Sequence, residues 1–195
     1  MSSENIDTRT KILQATVRSL EQSGGRGARM GDIAKESGIS RQAVYLHFES
    51  RADLLTQAFL YLGDQLDVDG RLAPSRAAAT GQERLERYIE FWGNFLPEIY
   101  GVAKALMMAR DTDEAAAAAW KDRMEAMRHG CRAAIGALHA DGALAEEWTR
   151  SKATDAFFAM LQVPNWEYLT QECGWSKKEY IRRMSVLAKR SFVAG

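Results

Sequence analysis

Apolar residues recur at steps of three and four along most of the chain, the period of helices with one buried face. Ile12, Leu13, Val17 and Leu20 open the pattern behind Asp7, a candidate N-cap. Gly24-Gly25 closes it, because glycine accepts the left-handed position after a helix. A short helix is predicted over 30–37, a break at Gly38-Ile39-Ser40, and a second short helix over 41–48. Ser50 with Asp53 then forms a capping box for a helix carrying Leu54, Leu55, Ala58, Phe59, Leu62 and Leu66. Residues 67–82 lose the pattern and hold Gly70, Pro74, Ser75 and Gly81. They are predicted to link a small domain, 1–66, to a larger one, 67–195.

In the larger part, Leu85, Tyr88, Ile89, Trp92 and Phe95 predict a helix over 83–95. Pro97 is predicted in the first turn of the next, which carries Tyr100, Ala103, Leu106 and Met107. Asp111, with Glu114 as its box partner, is predicted to cap a long helix. Its stripe is Trp120, Met124, Met127, Cys131, Ile135 and Leu138, and Gly142 closes it. A helix from about residue 147 carries Ala153, Ala156, Phe157, Met160 and Leu161, is kinked by Pro164, and resumes over 165–172. After Gly174, Ser176 with Glu179 caps a last helix bearing Tyr180, Ile181, Met184, Leu187 and Phe192. The fold class is all-α.

Composition narrows the function. Hydrophobic residues make up 46% of 195, enough for a buried core. The 26 basic and 26 acidic residues cancel, so any nucleic-acid surface must arise from local clustering. Cys131 and Cys173 form no paired motif and are expected to be reduced thiols, with a redox sensor as the alternative: Cys131 sits on an apolar stripe, and Cys173 lies by a helix end without an evident resolving partner. The polar N-terminus and the lack of a long apolar run predict a soluble, cytoplasmic protein with no membrane partner. His129 and His139 fall on different faces of one helix, and neither has a Cys or carboxylate at metal spacing. With no glycine-rich phosphate loop and no GxSxG, we expect no catalytic residues, no metal and no cofactor.

The informative stretch is GDIAKESGISRQAVYLHFESRADLL. A helix-turn-helix needs a small residue where two helices approach, supplied by Ala34. Its turn needs left-handed geometry, supplied by Gly38, and its second helix needs an inner anchor, supplied by Val44. Ile33, Ile39 and Phe48 complete this small core.

The run Ile33-Ala34, Gly38-Ile39-Ser40, Val44-Tyr45, His47-Phe48, Ser50-Arg51 and Leu54-Leu55 closely resembles the DNA-binding domain of the TetR (tetracycline-repressor) family, over about residues 7–66. The C-terminal part resembles that family's regulatory domain only in layout. The resemblance implies a three-helix DNA-binding domain followed by a larger helical domain for effector binding and dimerisation. It implies that double-stranded operator DNA, a small-molecule effector and a second copy are the partners. Ser40, Tyr45, His47 and Arg51 match residues that hold backbone phosphates, contacts that position without reading sequence. Base reading falls to the start of the second helix: Arg41 suits guanine, Gln42 adenine and Ala43 a thymine methyl, though Arg41 is equally a phosphate-bound or solvated charge. Two departures stand out. Ala28 and Arg29 replace the usual hydroxyl cap, so Arg29 either substitutes a charge contact with phosphate or leaves the helix poorly capped. Leu46 sits where polar or aromatic residues are common; it contacts thymine methyls or the sugar edge, or is only tolerated.

In the larger domain the resemblance implies an effector pocket, for which Leu66, Trp92, Phe95, Tyr100, Met107, Trp120, Met124, Met127 and Phe158 are candidates. Aromatic and methionine side chains suit an apolar, adaptable site, although core packing accounts for them equally well. It also implies a dimer surface on the last two helical segments. Ala153, Phe157, Leu161, Met184, Leu187 and Phe192 are the candidates there, with internal packing the alternative.

Overall fold

The computed structural model describes residues 7–26 and 29–195. Among these it contains ten α-helices and one short π-helical turn, with no strand. They are α1 Thr8–Gln22, α2 Met30–Ser37, α3 Arg41–His47, α4 Arg51–Gln65, α5 Val68–Arg76, α6 Gly81–Ala109, α7 Glu114–Ala140, α8 Arg150–Met160, α9 Val163–Glu167 and α10 Lys177–Phe192; the π turn, Tyr168–Glu172, follows α9. The chain divides into two compact units, residues 1–66 with 99–122 and residues 67–98 with 123–195.

The first unit is built on the predicted apolar stripes. Ile12, Leu13, Val17 and Leu20 of α1 are buried, as are Leu54, Leu55 and Ala58 of α4, and Ile33, Ala34 and Val44 of α2 and α3. The later part of α6 adds Ile99, Val102, Ala103 and Leu106. Two glycines bring backbones close there. A Cβ on Gly101 would lie 2.6 Å from the Leu20 carbonyl oxygen. One on Gly25, whose φ is +77°, would lie 2.8 Å from the Gly101 carbonyl oxygen.

The second unit buries Leu85, Ile89 and Leu96 of α6, Cys131, Ile135 and Leu138 of α7, Phe157 of α8, and Tyr180, Met184 and Phe192 of α10. Trp148 closes one end, its indole N–H donating to the Ser191 carbonyl at 2.6 Å with the ring edge-on to Phe192.

Four expectations are corrected. Residues 67–82 are not a plain linker, since α5 forms within them. Asp67 starts α5 from a left-handed φ of +47° and accepts from the Gly70 N–H at 3.1 Å. Arg71 makes two bonds to the Glu98 carboxylate, at 2.7 and 3.0 Å, and buried Ser75 donates to the Arg84 carbonyl at 3.1 Å. Those distant partners outweigh the poor propensity of Gly70 and Pro74. Pro97 does not open a new helix; it lies exposed inside the 29-residue α6, while Phe95, Leu96 and Ile99 beside it stay buried. Proline loses one i−4 bond there, and the continuous apolar stripe holds the helix through it. The cap of α7 is Asp113 rather than Asp111, accepting from the Ala116 N–H at 3.1 Å. Finally, α8 starts at Arg150 behind Thr149, and Pro164 sits in the first turn of a separate helix, α9, where proline is tolerated.

Candidate nucleic-acid interface

The turn between α2 and α3 follows from its residues. Gly38 ends α2 at φ +72°, the left-handed region. The Ile39 N–H donates to the Ala34 carbonyl at 3.0 Å, satisfying an end carbonyl of α2. Ser40 then caps α3, its Oγ accepting from the Ala43 N–H at 3.0 Å. The hydroxyl hydrogen of Ser40 stays available as a donor, in an exposed position.

The seven residues of α3 separate cleanly by face. Val44 and Phe48 are 0% and 1% exposed. Arg9 lies over the Phe48 ring at 5.0 Å and bonds to Gln57 at 2.9 Å, so the end of α3 is held against α1, and α1 against α4. Arg41, Gln42, Tyr45, Leu46 and His47 are exposed, and Ala43 and Ile39 half-buried. Leu46 is 82% exposed, the most exposed large apolar side chain among the described residues. The Arg41 guanidinium rests 5.8 Å from the Tyr45 ring centroid, which holds two of the predicted contact groups side by side. Arg29 is exposed at the N-cap of α2 and makes no side-chain cap bond. Ala28, the other residue of that departure, lies outside the described residues, as do residues 1–6 of the polar N-terminus. Arg51 is half-buried in the first turn of α4, where Ser50 accepts from the Asp53 N–H at 3.0 Å and Asp53 accepts from the Glu49 N–H at 3.1 Å. All nine predicted DNA-facing residues thus belong to the first unit, on α2, α3 and the start of α4.

The effector candidates are distributed over both compact units. Leu66, Tyr100, Met107 and Trp120 fall in the first unit, and Trp92, Phe95, Met124, Met127 and Phe158 in the second. Spacing along a helix cannot show this division, because α6 and α7 each contribute to both units. In the first unit Arg110 covers Trp120 at 5.8 Å, and the Lys104 ammonium donates to the Tyr100 hydroxyl at 3.0 Å. In the second, Trp92 and Phe95 join Tyr88 and Phe91 in an aromatic cluster, with neighbouring centroids 5.1 to 6.5 Å apart. Phe91 is absent from the predicted set, although it precedes Trp92 on the same helix. The Tyr88 hydroxyl donates to the Met127 carbonyl at 2.8 Å, tying Met127 to that cluster. Burial, then the charge of Cys131, hold the Tyr88 phenol well above its ordinary value. Burial likewise pushes the Cys131 thiol up to about 12, so it is neutral and unreactive at physiological pH. An open groove of about 430 Å³ between α6 and α10 has a different character, lined by Glu83, Glu86, Arg87, Glu90, Ile181 and Ser185, none of them an effector candidate.

The dimer candidates also sort by burial. Ala153, Phe157 and Leu161 are 0% exposed, Phe192 1% and Met184 3%. These five are buried within the chain itself. An amphipathic stripe faces its own core first. Of the six, only Leu187 is exposed, with Val186 beside it.

The family described as "Bacterial regulatory proteins, tetR family" matches residues 12–58, from α1 through the helix-turn-helix into α4. The HTH-type transcriptional regulator CymR of Pseudomonas putida is 27% identical over 113 residues, 56% of this chain and 54% of CymR. The nucleoid occlusion factor SlmA of a Marinomonas species is 36% identical over 66 residues, 34% of each chain. The matched stretch thus spans about half, or less, of the length of these curated relatives. A solved transcriptional regulator from Saccharomonospora viridis, in complex with choline, shares the fold with a TM-score of 0.79 at 20% identity, over 96% of this chain and 98% of that one. The helix-turn-helix of this chain, over residues 12–58, thus matches the tetR family of bacterial regulatory proteins, and its all-helical fold is shared with that solved structure along nearly its whole length.

Proposed function

We propose that this protein is a cytoplasmic one-component transcriptional repressor. It binds a palindromic operator as a homodimer and releases it on binding a small, mostly apolar effector. The observation that carries this reading is α3 itself: its inner residues are fixed in the core while Arg41, Gln42, Tyr45, Leu46 and His47 project into solvent on a helix short enough to lie in a major groove. Arg29, Ser40, Tyr45, His47 and Arg51 position the duplex through phosphate, and Arg41, Gln42 and Ala43 read bases.

Two recognition helices of a dimer enter successive major grooves about 34–36 Å apart. Exposed Leu187 and Val186 on α10 supply apolar surface for pairing. The effector binds beside the aromatic cluster of Tyr88, Phe91, Trp92 and Phe95, and it releases DNA by preferring the conformation whose helix spacing does not fit the operator.

Fluorescence anisotropy against a duplex from the chain's own upstream region tests this, with a random duplex at the same salt as control. Specific binding lost on Tyr45→Ala supports the reading. Equal affinity for both duplexes contradicts it.

A further inference from the structure

We infer that Leu46 is a sequence-reading residue: it selects thymine through the base's 5-methyl group in the major groove. The inference rests on the proposed DNA-binding role and adds a specificity determinant to it.

Three observations carry it. First, at the 100° per residue of an α-helix, Gln42 and Leu46 each lie about 160° from the buried anchor Val44, one on either side. They straddle the outermost line of α3 and stand one turn apart, so both point at whatever the helix docks against. Second, Leu46 is 82% exposed, against 42% for its neighbour Tyr45, so no packing among the described residues accounts for an aliphatic side chain there. An isolated exposed leucine is ordinary on a protein surface, but this one sits at the centre of the face where polar groups are otherwise gathered. Third, the chemistry is selective. In the major groove only thymine presents an apolar group, its methyl, while the other base edges present donors and acceptors that a leucine would leave unsatisfied. The flanking Gln42 suits adenine, so the pair predicts thymine or adenine at adjoining steps of each half-site.

The experiment selects a duplex from a random pool with the wild-type protein. Each thymine is then replaced in turn by deoxyuridine, which removes only the methyl. Anisotropy at fixed salt compares the wild type with Leu46→Ala and Leu46→Met. Because Leu46 is exposed, Leu46→Ala is expected to melt like the wild type, which circular dichroism checks. At one thymine per half-site the wild type should lose about fourfold in affinity for each methyl removed. Leu46→Met should keep that sensitivity, and Leu46→Ala should lose it at that position while remaining sensitive to scrambling elsewhere. Equal loss in Leu46→Ala and wild type, no loss at any thymine, or a selected site without thymine would overturn the inference and leave the DNA-binding role standing. A pool that yields no preferred sequence removes both.

Discussion

Two glycine-to-alanine changes, both within long helices, should move stability in opposite directions. In a helix interior alanine is favoured over glycine by about 1 kcal/mol. At Gly136 in α7 nothing among the described residues lies within 4 Å of an added Cβ, so that gain should appear in full. At Gly101 in α6 the Cβ would meet the Leu20 carbonyl oxygen at 2.6 Å, its carbon at 2.7 Å and the Glu21 nitrogen at 2.9 Å. Ordinary contact begins at 3.4 Å. Relief therefore requires about 0.8 Å of separation between two backbones, neither of which can rotate away as a side chain would. Overpacking costs about 1–3 kcal/mol, and with rigid partners the upper part of that range applies. Net of the helix gain, Gly101→Ala should be less stable by about 1–2 kcal/mol. At 2–4 °C per kcal/mol for a chain of this size, its melting temperature should fall by roughly 2–8 °C, while that of Gly136→Ala rises by about 2–4 °C. Thermal melts followed by circular dichroism at one protein concentration measure both. A Gly101→Ala protein melting at or above the wild type would refute the close packing of α1 on α6.

Further outcomes follow from single sites. Gly38→Ala meets no neighbour among the described residues within 4 Å but forces alanine to φ +72°, so it should lose about 1–2 kcal/mol by denaturant titration; Gly38→Asn should lose less, and equal losses would contradict a purely conformational origin. Burial raises the Cys131 thiol from its ordinary 9.0 to about 12, so the folded state keeps a proton that the unfolded state releases above pH 9. Stability should be fully present below pH 9 and decline as pH rises toward 12, less steeply in Cys131→Ala; a flat alkaline limb in the wild type would contradict it. At pH 8 a thiol reagent should label exposed Cys173 and spare Cys131 until the chain unfolds, as peptide mass mapping would show. Tryptophan fluorescence titrated with a panel of apolar compounds should respond through Trp92, and a response unchanged in Trp92→Phe would move the effector away from the aromatic cluster.

What the sequence revealed depended on how local the physics was. The α2–α3 turn was legible because Ala34, Gly38, Ser40 and Val44 each answer to a backbone or packing demand within a few residues. The Ser176 cap of α10 was legible for the same reason, its Oγ accepting from the Glu179 N–H at 3.1 Å. Helix α5 was not, since Gly70 and Pro74 argue against helix locally while Glu98 and Arg84 support it from 27 and 9 residues away. Pro97 misled in the opposite sense, because a proline lost one bond but did not interrupt the buried stripe. Periodicity marked Phe157, Met184 and Phe192 as apolar-facing, yet it carries no information on whether that face meets the protomer's own core or a second copy. Nor could it divide Trp92 from Trp120, because membership of a compact unit is settled by contacts remote in sequence.

The most direct test of the central claim is a hydroxyl-radical footprint of the wild type on a duplex selected from random DNA, read alongside the double variant Arg41→Ala/Gln42→Ala. The expected result is two protected patches with centres one helical turn, about 10–10.5 base pairs, or a small multiple apart, with related sequences in inverted orientation. The double variant should show protection that no longer depends on those base pairs. Uniform protection without preferred sequence, or a sequence preference unchanged in the double variant, would contradict the assignment of α3 as the DNA-reading helix.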